Sequence, residues 1–233
     1  MRFSKQIYAL VEKDIIAELR SKEILNAMVI FVIITFVILS FGLSDILKAN
    51  LKVDLEAVLL AGILWLAFAF AAVLGLNRSF VHEKDEGCMD GLLLAPLDRS
   101  LIFFAKFISN LIFLLTVQFI SIFVFAVFFL KDGFYQKFWI LIAAIILGDL
   151  GISAVGTLLS AIAVNGKARD LLLPILFFPM IIPVYLSLIP LTKYAFLSTA
   201  KLADVSGLMQ FLAVYDIVFL VVPFIVFDFI VED

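Results

Sequence analysis

Six long apolar runs dominate this chain: approximately Ile24 to Leu43, Ala57 to Leu76, Phe107 to Leu130, Phe138 to Val164, Leu171 to Thr192 and Leu208 to Val231. A bilayer core about 30 Å thick needs roughly 20 mostly apolar residues per helix, at 1.5 Å of rise per residue, and each run is long enough. None alternates apolar and polar with the period of two that a membrane β-barrel requires, so helices are the reading. Composition agrees: 65% of the 233 residues are hydrophobic and only 16% charged, against roughly a quarter charged in soluble domains. The expected fold is all-α, a polytopic membrane protein of six transmembrane helices in one membrane domain spanning 1–233, with no internal repeat and no soluble linker.

The first run begins only after Glu12, Asp14, Glu18 and Glu23, and no small-residue cleavage site follows it, so no cleaved signal peptide is expected. Orientation follows from Lys and Arg in the short connections. With the N-terminus inside, the cytoplasmic side holds Arg2, Lys5, Lys13, Arg20, Lys22, Arg78, Lys84, Arg99, Lys106, Lys167 and Arg169, and the other side holds six lysines. Six spans return the C-terminus to the same side.

Several functions find no residues to carry them. The formal net charge of −3 gives no reason to expect a nucleic-acid partner. Cys88 is the single cysteine, which leaves no internal disulfide and no cysteine-built metal site. His82, the single histidine, sits beside Glu83, Asp85 and Glu86 without a second His or Cys; it reads as a solvated loop residue and no metal site is expected. There is no Gly-rich phosphate loop, H-E-x-x-H helix or G-x-S-x-G elbow, so the chain is not expected to be an enzyme.

Three polar or polar-bearing regions remain. In residues 1–23, Phe3, Ile7, Val11, Ile15 and Leu19 recur every four residues, which suggests an interfacial helix. Asp14 and Glu18 intrude on that stripe, where a partner protein could cover them; a plain topology-setting flank is the other reading. The second region, 78–100, runs from an acidic cluster ending at Gly87 to Met89, Leu92, Leu93, Leu94 and then Pro96. Three consecutive leucines rimmed by charge mark a partner surface, unless they simply begin the third span. The third is the set of polar groups inside spans. Asp149, flanked by Gly148 and Gly151, and Asp216 are intramembrane candidates, because a charge in hydrocarbon costs several kcal/mol unless paired or wetted. Asp149 reads either as part of a polar gate or as a hydrogen-bonded helix contact made close by small neighbours. Lys106 is expected to snorkel to the interface, and Pro174, Pro179, Pro183 and Pro190 to kink span five.

Ala61 to Trp65, Leu76 to Phe80, Asp85-Glu86-Gly87, Gly91 to Leu97 and Ala105-Lys106, and later Leu147-Gly148, Gly156, Ala161 to Val164 and Leu171 to Leu176 with Pro179 and Pro183, resemble the CcmB family, the membrane subunit of the haem exporter in cytochrome c maturation. At Asp149-Leu150 the chain departs from a Thr-Pro common in that family, and at Lys167 to Asp170 from a Lys-Arg-Gly-Gly-like turn. The resemblance implies an ABC-2-type exporter permease in the bacterial inner membrane, coupling ATP hydrolysis by a separate ATPase subunit to haem delivery or to release of a loaded haem chaperone. It further implies ATP bound only on the partner, haem as a handled ligand without a nominated contact here, other haem-handling membrane subunits, a periplasmic haem chaperone, and a homodimer in the complex. On the same resemblance 78–100 is a cytoplasmic coupling loop. Glu83, Asp85, Glu86 and Gly87 would make its polar and backbone contacts to the ATPase, and Leu92, Leu93 and Leu94, followed by Pro96, would fill a groove. The competing functions are a permease for a lipid, polysaccharide or drug, and a non-transporting membrane scaffold.

Overall fold

The computed structural model describes residues 2–48, 52–85, 87, 91, 99–129, 137–164, 169–197 and 202–230. They form helices α1 (Arg2–Ser21), α2 (Glu23–Gly42), α3 (Ser44–Lys48), α4 (Val53–Asp85), α5 (Arg99–Phe129), α6 (Phe138–Ala163), α7 (Arg169–Phe196) and α8 (Leu202–Ile230). Six are long and apolar enough to cross a membrane: α2, α4 over Val53–Asn77, α5 over Ser100–Phe129, α6, α7 over Leu171–Phe196, and α8 over Ala203–Pro223. With no strand among the described residues, this is the all-α multi-pass membrane protein that the apolar runs call for. In hydrocarbon every backbone group must be bonded within its own segment, which a helix achieves alone.

The spans differ in how much of their surface turns inward. α4 and α6 are mostly buried and form the centre, whereas α2 and α8 keep most of their surface outward. α2 offers one stripe, Met28, Val32 and Phe36, at the i, i+4, i+8 spacing of a single helical face. Phe36 meets Phe125 and Phe129 of α5 edge-on, with centroids 5.3 and 5.9 Å apart, the geometry favoured by ring quadrupoles. Gly75 of α4 makes room for Met28, whose Sδ lies 2.6 Å from where a Cβ would stand.

α6 packs tightly because its inner half is built from small residues. Gly148, Gly151, Ser153, Ala154, Gly156, Thr157 and Ser160 are all buried, and small side chains let helix backbones approach where no hydrophobic force separates protein from lipid. Any Cβ on Gly156 would collide with Leu76 of α4, and one on Gly148 would stand 2.7 Å from Cη2 of Trp65. α7 continues as one helix through Pro174, Pro179, Pro183 and Pro190. Each proline withdraws a backbone donor; the Tyr215 hydroxyl of α8 donates to the Met180 carbonyl at 2.6 Å within this stretch.

The N-terminal helix closes against the bundle in a way its periodicity leaves hidden. Asp14 and Glu18 are covered by the chain itself. Lys106 does not reach out to water: it is 7% exposed and pairs with Asp14 Oδ2 at 3.1 Å. Glu18, 3% exposed, accepts the Leu25 backbone N–H at 2.8 Å across the left-handed residue Lys22. It thereby satisfies one of the orphan donors at the start of α2, as a capping side chain does.

Candidate functional site

Two sites come out of the sequence reading, and the structure treats them differently. The first is the connection from α4 to α5. α4 runs past its apolar span, so residues 78–85 extend the spanning helix itself. Glu83 and Asp85 lie in its last turn. Gly87 follows in a turn with φ +68° and donates its N–H to the Lys84 carbonyl at 3.1 Å; glycine tolerates that left-handed conformation because it has no Cβ. Glu86, Cys88, Leu92, Leu93, Leu94 and Pro96 lie outside the described residues.

The two ends of this connection are tied to different helices. At its start, the Lys84 ammonium donates to the Val164 carbonyl at 3.0 Å. Val164 is the residue that ends α6, so a cation meets the negative end of a helix dipole. At its finish, Lys106, two turns into α5, holds Asp14 of α1. Lys84 thus ties the start of the connection to the C-terminal end of α6, and Lys106 ties its finish to α1.

The second site is the interior of the bundle, where α5 and α6 run antiparallel and share a line of hydrogen bonds. Ser153 Oγ donates to the Phe107 carbonyl at 2.9 Å, and Asn110 Nδ2 to Thr157 Oγ1 at 2.9 Å. On the neighbouring face Ser160 Oγ donates to the Leu76 carbonyl of α4 at 2.8 Å. Gln118 Nε2 completes the line by donating to Asp149 Oδ1. Interhelical hydrogen bonds in membranes contribute about 0.6 kcal/mol each on average, so the line chiefly fixes the register of the two helices.

Asp149 is fully buried, and it is not isolated from other functional groups, contrary to the impression that its sequence neighbours give. Gln118 of α5 is its hydrogen-bond partner, and Trp65 of α4 reaches the neighbouring Gly148. Tyr185 of α7 packs against Trp65, centroids 6.1 Å apart, and Trp65 donates its indole N–H to Thr192 Oγ1 at 2.8 Å. Asp216 is a separate case. Its Oδ1 lies 2.6 Å from where a Cβ on Gly151 would stand, on α8's contact with α6. Gln118, Tyr185, Trp65 and Thr192, with Asn110, Ser153, Thr157 and Ser160, are among the interior polar groups that sequence reasoning missed. Their only signal was a polar atom inside an apolar run.

A family model described as CcmB protein matches residues 5–230. The chain belongs to the CcmB family. Among curated relatives, this CcmB-family chain is 26% identical over 175 residues to a protein of Rhodobacter capsulatus named heme exporter protein B, covering 75% of this chain and 77% of that relative. The family model's match over residues 5–230 takes in all six spans, both ends of the α4–α5 connection and the α5–α6 polar line.

Proposed function

We propose that this chain is the permease subunit of an ABC-type haem exporter acting in cytochrome c biogenesis, driven by ATP hydrolysis on a separate subunit. The observation that carries the reading is the CcmB match over nearly the whole chain, with the exporter named in its relative. The end of the bundle that bears α1, Lys84 and Lys106 carries the larger share of Lys and Arg, so it is placed in the cytoplasm, in the inner membrane of a bacterium. Both termini then lie inside.

On this reading, the α4–α5 connection is the coupling element. A helix that continues past the bilayer to Asp85 delivers the connection to the cytoplasmic face, and the acidic and leucine-rich segment beyond it meets the ATPase. Closure of the ATPase pushes on the connection. The push reaches α6 through Lys84 and Val164, and α1 through Lys106 and Asp14. Haem is the cargo, and a periplasmic haem chaperone and further haem-handling membrane subunits are the partners that receive or present it.

Replacing Leu93 with Asp tests the assignment. A charge forced into an apolar groove without a partner costs on the order of 3–5 kcal/mol, so recovery of the ATPase subunit with the detergent-solubilised protein should fall by about a hundredfold or more. Cellular c-type cytochromes should fall with it. Glu86→Lys, at a wet rim, should do less harm. Undiminished ATPase recovery with Leu93→Asp overturns the coupling role.

A further inference from the structure

The hydrogen bonds around Asp149 do not close as the side chains stand. Gln118 spends one amide hydrogen on Asp149 Oδ1, and among the described residues this leaves Asp149 Oδ2 and Gln118 Oε1 buried without a donor. A buried polar atom left unmatched costs about 1–3 kcal/mol, and an unpaired charge in hydrocarbon costs more. Among the described residues no Lys or Arg pairs with Asp149.

One added hydrogen resolves both orphans at once. A carboxylic acid and a primary amide can join through a ring of two hydrogen bonds, N–H to one carboxyl oxygen and acid O–H to the amide oxygen. The first of these bonds is present, and the two orphaned oxygens are the pair the second would join. A metal ion fits less well, since hard cations take about six or more oxygen ligands and the Gln118–Asp149 pair offers two orphaned oxygens. No group of three or more His, Cys, Asp or Glu side chains assembles among the described residues.

We propose that Gln118 and Asp149 form an intramembrane proton-binding site, in which the Asp149 carboxyl is held as the neutral acid with its Oδ2–H donated to Gln118 Oε1. The ligand is a single proton, taken up from water onto Oδ2 before the bundle closes. The other ionisable groups facing α6 here are Asp216 and Tyr215 of α8, both against Gly151, and neither is a cation. α4 and α5 present Trp65 and Gln118, which do not titrate. Because Gln118 stands on α5 and Asp149 on α6, any conformation that parts these helices wets the acid and frees the proton. Occupancy of the site is thereby tied to the closed packing of the bundle. This holds whatever the cargo, so it stands apart from the haem reading.

Infrared spectroscopy of the full chain in lipid, with isotope-labelled Asp carboxyls, reads the site directly. At neutral pH the wild-type protein should show the C=O stretching band of a protonated carboxyl. That band should vanish in Asp149→Asn, persist in Asp216→Asn, and move to higher frequency in Gln118→Met as the acid loses its amide partner. The Gln118→Met shift assigns the band even if Asp149→Asn fails to accumulate. A wild-type spectrum without the band, a band that survives Asp149→Asn, or a carboxylate band that responds to sodium or potassium instead overturns the proposal.

Discussion

Among the described residues four carboxylates are buried or nearly so, and they divide by position. Asp14 and Glu18, at the end where α1 meets α5, are matched: Asp14 has Lys106 at 3.1 Å and Lys13 at 3.4 Å, and Glu18 caps α2. Asp149 and Asp216, inside the spans, are not. Asp149 keeps one orphaned oxygen and Asp216 two. Near the bundle's end, long lysine side chains can reach a carboxylate and water is close by, so ionised groups serve as structural ties. In the interior no cation among the described residues arrives, and the same side chain becomes a group whose proton matters. Buried acids in one protein thus fall into two chemical kinds, decided by whether a basic side chain can reach them.

Substitutions at the two kinds of site should differ in size. The largest effect is expected from Lys106→Met, which strands Asp14 in a nearly buried position with only the half-exposed Lys13 beside it. Breaking a buried pair costs 3–5 kcal/mol, and the remaining lysine argues for about 3 kcal/mol. Thermal unfolding in detergent should show the loss, and limited proteolysis should release α1. Adding Asp14→Asn to Lys106→Met should recover much of the stability; if it does not, the tie is packing rather than charge.

Gly148→Ala comes next, and it probes the interior without touching a carboxylate. Its Cβ would press on Trp65, which is held by Thr192 and by its ring contacts, and on Leu188 at 2.9 Å. Overpacking of a well-filled core costs about 1–3 kcal/mol, seen as a lower unfolding midpoint. An unchanged midpoint would mean that the α4–α6 contact is looser than the side-chain distances indicate.

Glu18→Ala should cost about 1 kcal/mol, the usual size of a lost helix cap, and Glu18→Gln should restore most of it because an acceptor oxygen remains. The smallest change is expected from Asp149→Asn. An amide there can still pair with Gln118, and if the native group is the neutral acid no charge is removed, so stability should move by less than about 0.5 kcal/mol, within the range of innocuous substitutions. Assembly with the ATPase, measured by co-purification, should persist. A large loss of stability would make Asp149 an ionised structural group of the Asp14 kind.

The second helix shows how far reading the chain could go with element boundaries. Its apolar run reads as ending near Leu76, whereas α4 continues to Asp85. The bilayer argument measures only the part that needs lipid, and nothing in Arg78 to Asp85 stops a helix until Gly87. Lys106 is the plainer miss. A lysine near the start of a span has two ways to avoid hydrocarbon, reaching water or finding an acid, and the acid lies 92 positions away in the chain.

The sequence by itself determined the number of spans, the membrane class and the family resemblance, because each rests on quantities local to the chain: the length of an apolar run against a fixed bilayer thickness, or a short motif. Only the tertiary structure decided which side of each span faces inward and which polar groups meet. A spanning helix is apolar all round, so its periodicity carries little record of its buried face. Asp149 looks alone along the chain, since its company comes from Gln118 and the small-residue packing of α6, set by helices crossing in space. Asp14 and Asp149 carry the same side chain, and what separates them physically is that Lys106 reaches the first and, among the described residues, no cation reaches the second.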